Sequence, residues 1–373
     1  MIEATAVSLL AWLWLLALRG RFWRTGPTLM ASSGATSQAP DVDVVVPARD
    51  EAAVIGQSIG SLRAQDYRGR LRIVLVDDDS SDGTAETARA VGGRHALTVV
   101  RGTERPRGWA GKLWAVHQGL ARTSAPLVLL TDADIVHDPA HVSALVAQAE
   151  RSGADLVSEM VALRCESLAE RALVPAFVYF FALLYPFAWV NDARRRTAAA
   201  AGGTMLLRRQ ALARVGGVAS IRGALIDDVA LGTVVKRGGK VWLGHSGLAR
   251  SVRPYPGWAD VWRMVARSAY VQLRCSPLLL AATIVGLSLL FLVPPLVAVG
   301  GDGVARWLGV GGWAVMAGSF LPMLRRYRLS PLWAPLLPAI ALFYMAATIG
   351  SAIDHHRGRG VAWRGRAYAE HGA

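Results

Sequence analysis

Asp132 and Asp134 stand one residue apart in Leu130-Thr131-Asp132-Ala133-Asp134, at the end of a run apolar on both faces. A hard divalent cation takes oxygen ligands and keeps water and phosphate in its shell. Such a pair at a strand end can hold Mg2+ or Mn2+ across a diphosphate and stabilise a departing nucleoside diphosphate. A second pair, Asp227-Asp228, opens a helical stretch. A carboxylate there suits removal of a proton from an attacking hydroxyl, although the same pair also fits a helix N-cap before residue 229. A third acidic run, Asp77-Asp78-Asp79-Ser80-Ser81-Asp82, follows the apolar Leu75-Val76. Asp77 and Asp78 can accept hydrogen bonds from a nucleobase N–H and ribose hydroxyls, whereas Asp82 reads as a cap for the helix from 83. So many clustered carboxylates repel one another unless a partner relieves them.

Three further elements could serve the same chemistry. Pro47-Ala48-Arg49-Asp50-Glu51 runs from a strand into a helix start, where backbone amides and Arg49 can hold base and phosphate. Gly108-Trp109-Ala110-Gly111-Lys112 opens another helix and offers a cation to a diphosphate. Gly202-Gly203 supplies backbone that a sugar can approach closely.

The elements that must position these groups alternate between short β-rich runs and helical stretches, the pattern of a parallel sheet with crossover helices. Strands are expected at 42–46, 71–76, 97–100, 126–131 and 154–160, and helices near 51–64, 83–91, 110–121 and 139–151. In such a sheet ligands bind at the carboxyl ends of the strands, which is where each motif falls. The fold class is therefore α/β, with the sheet domain over 42–250.

The rest of the chain is apolar. Residues 4–18 are uninterrupted by charge and are followed by Arg19-Gly-Arg21, so 1–20 read as an uncleaved N-terminal anchor with its far side in the cytoplasm, and 21–41 as a linker. Residues 172–190, rich in aromatics and broken by Pro175 and Pro186, suit a helix in the membrane interface, and 251–277 an interfacial amphipathic region. Runs at 278–299, 304–323 and 331–353 are long enough for membrane segments within a block 278–353. Three full crossings would put the basic tail 354–373 outside, against the positive-inside tendency. Either the proline-interrupted 331–338 region is re-entrant or the tail breaks the rule.

The net charge of +14 resides almost wholly in arginine, since Lys112, Lys236 and Lys240 are the only lysines. Arginines flanking apolar runs are what membrane orientation and anionic lipid produce, so the basic balance does not point to nucleic acid. Cys165 and Cys275 lie far apart without a CxxC spacing, which argues against a zinc site or redox pair.

Taken in order, these motifs resemble the glycosyltransferase family 2 pattern on a GT-A fold, from Val42 to Tyr368. Within it, GWAGK, TDAD, GGTMLLRR, the IDD element and the terminal WRGRAY resemble the bacterial hopene-associated glycosyltransferases and, more loosely, the ceramide glucosyltransferases. The resemblance implies a nucleotide-sugar donor, here a UDP-sugar, a divalent metal and a lipid acceptor related to hopanoids. It implies nucleotide-sugar binding by Pro47, Ala48, Arg49, Glu51, Asp77, Asp78, Lys112, Asp132 and Gly203, and metal binding by Asp132 and Asp134. Asp228 matches the catalytic base, and Asp227 stands where a glutamate is often found. Many membrane relatives carry Q/R-x-x-R-W after the base, and here WRMVARSAYVQLR lacks an arginine followed by tryptophan. Arg263 and Arg267 are the nearest candidates to grip diphosphate or acceptor, and processive polysaccharide synthesis becomes less expected. The implied protein is a multi-pass enzyme of a bacterial cytoplasmic membrane with its catalytic domain facing the cytoplasm. A glycan-extending synthase is one alternative. A non-catalytic membrane protein that holds nucleotide-sugar or lipid is the other.

Overall fold

In the computed structural model, residues 1–31 and 39–358 are described, with the backbone of 362–363 and 366–367. The centre of the expected linker and, apart from that backbone, the WRGRAY tail lie outside the described residues. The chain divides into two compact units. One comprises Pro27–Arg164, Trp189–Pro254 and Ala362–Ala373, and the other Met1–Gly26, Cys165–Ala188 and Tyr255–Val361.

The first unit is built on a nine-stranded mixed sheet. Its strands are β1 (Thr28–Leu29), β2 (Val42–Ala48), β3 (Leu71–Asp77), β4 (Ala96–Arg101), β5 (Leu127–Thr131), β6 (Ile135–His137), β7 (Leu156–Ala162), β8 (Thr204–Arg208) and β9 (Val241–Ser251). The order is β1-β9-β7-β8-β5-β2-β3-β4, with β6 on β9. Strands β5, β2, β3 and β4 are mutually parallel, in registers that place Val45 beside Val74 and Leu130. Every residue of β2 and β5 is buried, as expected of strands covered by helices on both faces. The outermost β4 alternates between half-buried and exposed positions.

The five expected strands are all present within a residue or two. Four others, β1, β6, β8 and β9, were not expected. Of these, β8 runs antiparallel between β5 and β7 and so breaks the parallel order. The expected helices appear as Ala52–Arg63, Thr84–Ala90, Gly111–Leu120 and His141–Ser152. Gly119 lets the helix Gly111–Leu120 lie directly on the sheet, because a Cβ there would stand 2.4 Å from Val45 Cγ1.

One charge sits inside the central sheet. Asp43 in β2 accepts two hydrogen bonds from Arg72, at 2.9 and 3.1 Å, and one each from the amides of Ser124 and Ala125. Burial alone would raise its pKa, but Arg72 and the amides outweigh it and hold the carboxyl below its ordinary value.

The second unit is helical. Three of its helices, Pro277–Gly300, Gly303–Arg326 and Pro331–His356, are long and apolar enough to cross a membrane. The first contains a π-helical turn at Ser288–Leu292, just before Pro294 and Pro295. Prolines lack the N–H that would continue the ladder, and a wide turn is one way to absorb the lost bond. The third begins with a 3-10 turn over Pro331–Leu336.

The N-terminal helix Ile2–Leu18 is apolar but only 17 residues long. Its Trp12 indole donates to the Leu290 carbonyl at 2.8 Å and meets Phe291 edge-on. The aromatic stretch near 172–190 folds as a helix Leu168–Leu184, started by a capping box between Ser167 and Glu170 and followed beyond Pro186 by a short helix Phe187–Asn191. The Tyr179 hydroxyl bonds Ser319 at 2.6 Å, and the Tyr344 hydroxyl donates to the Leu173 carbonyl at 2.8 Å.

Candidate active site

The carboxyl ends of β2, β3 and β5, the turn before β8 and the helix Asp227–Lys236 meet at one edge of the sheet. A narrow pocket there is lined by Pro47, Lys112, Asp132, Gly202 and Asp227, among others, and its open core is about 10 Å³, room for roughly one water. Lys112 is the hub. Its Nζ lies 2.8 Å from Asp132 Oδ1 and 3.1 Å from Asp227 Oδ2. Burial by itself would lower the lysine's pKa, yet Asp132 and Asp227 reverse this and hold it above its ordinary value. Burial pushes Asp132 upward, against the pull of Lys112 and with the push of Asp134.

Asp228, the next residue, is held by backbone amides. Its Oδ2 accepts from the Gly202 amide at 2.8 Å, and its Oδ1 from the Val229 amide at 2.7 Å. The helix begins at Asp227 with Ile226 before it, so the pair lies inside the first turn instead of capping a helix from 229, and Asp228 satisfies one amide of that turn. Burial and the neighbouring Asp227 raise its pKa to about 6, with Lys112 and the two amides resisting. A carboxylate with a pKa near 6 is a competent proton acceptor at neutral pH. Gly202 permits the approach, because a Cβ on it would lie 3.2 Å from Asp228 Oδ2 and 3.5 Å from Lys112 Nζ.

The second carboxylate of the T-D-A-D turn is held differently. Asp134 Oδ2 accepts from the Ser251 hydroxyl at 2.7 Å and from Arg253 Nε at 3.2 Å, while Arg253 Nη2 reaches Glu51 Oε1 at 2.7 Å. Arg253 thus ties the end of β9 to the turn after β2 and offsets two carboxylates at once. Among the described residues no group of three or more His, Cys, Asp or Glu side chains gathers in a metal-holding arrangement. Asp132 and Asp134 nevertheless offer hard oxygen donors one residue apart in the same turn, and Asp134 adds to the rise of the Asp132 pKa that burial causes. That fits a Mg2+ or Mn2+ which takes one or two carboxylates from protein and the rest of its shell from phosphate and water.

The acidic turn after β3 packs against the start of the helix Ala52–Arg63. Asp77 Oδ1 accepts from both the amide and the hydroxyl of Ser80, and the Asp78 amide donates to the Ala48 carbonyl at 2.8 Å. Arg49 donates to the carbonyls of Asp78 and Asp79. Asp82 accepts from the amides of Ala52 and Thr84, so it caps two helix starts, one more than expected. Asp50 and Asp79 adopt left-handed backbone, with φ of +50° and +58°, a conformation aspartate tolerates better than most residues.

Of the residues singled out in the sequence, Pro47, Lys112, Asp132 and Asp227 line the pocket, and Asp228 adjoins it through Gly202. Ala48, Arg49, Glu51, Asp77 and Asp78 form the adjoining turns. Gly203 contributes its carbonyl, which accepts from the Thr131 hydroxyl at 2.8 Å, whereas the amide on Asp228 is that of Gly202. Arg263 and Arg267 belong to the helical unit, where Arg263 pairs with Asp260 at 2.5 Å. Arg253, Ser251 and the Gly202 amide were missed. A lone arginine in Ser-Val-Arg-Pro carries no local signal, and only the position after a strand ending at the same sheet edge could have suggested it.

Residues 43–216 match the family model described as Glycosyl transferase family 2. A family 2 glycosyltransferase domain occupies this part of the chain. Its sheet is of the GT-A type, and the solved mannosyltransferase PcManGT from Pyrobaculum calidifontis, in complex with GDP-Man and Mn2+, shares the fold with a TM-score of 0.57 at 21% identity, over 95% of this chain and 99% of that one. Among curated relatives, 4,4'-diaponeurosporenoate glycosyltransferase of Staphylococcus haemolyticus is 30% identical over 31% of this chain and 29% of its own length. Dodecaprenyl-phosphate galacturonate synthase of Rhizobium johnstonii is 30% identical over 32% and 36%. Beta-monoglucosyldiacylglycerol synthase of Synechocystis is 34% identical over 29% and 22%. The chain thus spans about a third or less of these relatives' lengths.

Proposed function

We propose that this protein is a membrane-bound, inverting glycosyltransferase that moves a sugar from a nucleotide-sugar to the hydroxyl of a lipid, with Asp228 as the base. The observation that carries the reading is the pairing of a raised, amide-held Asp228 with the Lys112–Asp132–Asp227 cluster at the ligand-binding edge of a family 2 domain. Asp228 accepts the acceptor's proton as its oxygen attacks the anomeric carbon, and the nucleoside diphosphate leaves on the opposite side. Lys112 and Arg253 supply fixed positive charge near the diphosphate. Asp77, Asp78, Arg49 and the turn from Pro47 to Glu51 suit the base and ribose. Asp132 and Asp134 would hold a divalent cation, which when bound offsets the charge of the leaving diphosphate.

Three apolar helices in the same chain support a bilayer setting and an amphiphilic acceptor. The names of two relatives mention a polyprenyl phosphate and a diacylglycerol, which supports the lipid class. The finer reading, a UDP-sugar and a hopanoid-related acceptor at a bacterial cytoplasmic membrane, rests on the GWAGK and GGTMLLRR motifs. The test is transfer from a panel of UDP- and GDP-sugars to hopanoid, polyprenyl-phosphate and diacylglycerol acceptors by protein in nanodiscs, with and without Mn2+, read by mass spectrometry. A metal-dependent glycolipid supports the reading. Extension of a soluble glycan with no lipid product contradicts it.

A further inference from the structure

Behind the carboxylates lies a second polar cluster that the proposed reaction does not use. Thr131, His137, His141, Glu159 and Thr204 come from β5, β6, the helix His141–Ser152, β7 and β8, and none is more than 3% exposed. They form a continuous chain. The Thr131 hydroxyl contacts the Gly203 carbonyl at 2.8 Å and His137 Nε2 at 3.3 Å. His137 Nδ1 faces His141 Nδ1 at 2.8 Å, and His141 Nε2 meets Glu159 Oε1. The Thr204 hydroxyl lies 3.3 Å from the same Glu159 oxygen.

The proton directions can be assigned from one fixed end. A carbonyl only accepts, so Thr131 donates to Gly203 and its oxygen must accept from His137 Nε2–H. Burial keeps the His137 imidazole well below its ordinary pKa, with His141 adding to the effect, so the ring is neutral and its Nδ1 is bare. That nitrogen accepts from His141 Nδ1–H. The contact between His141 Nε2 and Glu159 Oε1 closes the chain at its far end. One polarity therefore runs from Glu159 through two imidazoles and a hydroxyl to the Gly203 carbonyl, which also receives the Asp132 amide at 3.3 Å.

Gly203 follows Gly202, whose amide holds Asp228. We propose that Glu159, His141 and His137 are positioning residues: their chain aims the Thr131 hydroxyl at Gly203 and so fixes the Gly202 amide against Asp228. This rests on the reading of Asp228 as base. A core that needed only volume here would use apolar side chains, because five buried polar groups cost free energy unless each is directionally bonded.

The test compares His137→Phe, which keeps a ring but donates nothing, with His137→Gln, whose amide nitrogen can replace Nε2–H. In the full chain in nanodiscs, His137→Phe is expected to lower kcat at least tenfold while changing the Kd for nucleotide less than twofold. It should also move the acid limb of kcat/KM to higher pH, because the Asp228 anion loses an N–H donor. Asp227 and Lys112, the charged groups facing Asp228, are unchanged in both variants. His137→Gln should recover most of kcat and return the limb. If His137→Phe only lowers the unfolding temperature and leaves kcat and the limb in place, the chain is structural and the proposal fails. Imidazole nitrogen NMR of the unaltered protein tests the polarity directly even if His137→Phe does not fold: protonated Nε2 and bare Nδ1 on His137 support it, and the opposite tautomer overturns it. The tautomer readout needs no turnover, and absence of transfer by the unaltered protein would instead count against the glycosyltransferase reading.

Discussion

Replacing Lys112 by methionine removes the cation at the centre of the site while keeping its length, and the structure fixes what should follow for Asp228. Lys112 Nζ and Asp228 Oδ2 both lie within 3.5 Å of the point a Cβ on Gly202 would occupy. Their charges are thus at most about 7 Å apart, and at an effective dielectric of about 20 they attract by roughly 2.4 kcal/mol, close to two pK units. Loss of the lysine also leaves Asp132 and Asp227 without their shared counter-ion, which pushes Asp228 in the same direction. The carboxyl pKa near 6 should rise, and the acid limb of kcat/KM, which reports the free enzyme, should move to about 8. At pH 7 the active, ionised fraction would fall roughly tenfold from this cause alone. Any deficit that persists above pH 9 measures what Lys112 contributes to the donor. The assay is initial-rate transfer across pH at low donor concentration. A limb that stays near pH 6 in Lys112→Met would refute the assignment of Asp228 as the titrating base.

Four other outcomes follow from the same geometry. Asp228→Asn should raise the unfolding temperature by a few degrees near pH 7.5 and leave it unchanged near pH 3. A carboxyl whose folded pKa is raised favours the fold below its ordinary value and loses that contribution as pH rises through about 6, a difference of about 1–2 kcal/mol after allowance for partial exposure. Gly202→Ala should lower kcat by tenfold or more with little change in nucleotide affinity, since its Cβ would press on Asp228 Oδ2 at 3.2 Å. Arg253→Gln leaves Asp134 and Glu51 without their common partner, costs about 1–3 kcal/mol of stability, and should make Mn2+ raise the unfolding temperature more than in the unaltered protein. Asp43→Ala should destabilise by about 3 kcal/mol. The contribution of Asp43 is present above the ordinary carboxyl pKa and is lost as pH falls through its depressed value, so in acid the variant and the parent converge.

What could be read in advance was whatever lay close together along the chain. Five strands and four helices followed from apolar runs and their spacing, because β2, β3 and β5 are buried on both faces and need continuous hydrophobic sequence. Strand β8 was legible only as a glycine-led motif, since five residues ending in Arg208 look no different from a loop until β5 and β7 flank them. Strand β9 mixes Gly, His and Ser with apolar residues, and the long stretch between Ala162 and Val241 separates it from its partner β7. The candidate carboxylates could be singled out because they stand in local acidic runs at the ends of apolar strands or at a helix start. Lys112 was singled out as well, but its pairing with Asp227, like that of Arg253 with Glu51, spans most of the domain's length and could not be read in advance. The buried line from Glu159 to Thr131 was not legible for the same reason: its members come from five elements that meet only in the fold.

The central claim is single displacement with Asp228 as base. The most direct test is single-turnover transfer by Asp228→Asn beside the unaltered protein, under saturating donor and metal, with the anomeric configuration of the product read by NMR. The account predicts that the unaltered protein inverts an α-linked donor to a β-linked glycolipid. It also predicts that the variant binds nucleotide normally but transfers at least a thousandfold more slowly, about 4 kcal/mol of lost transition-state stabilisation. Undiminished transfer by the variant, or an α-linked product, would contradict it.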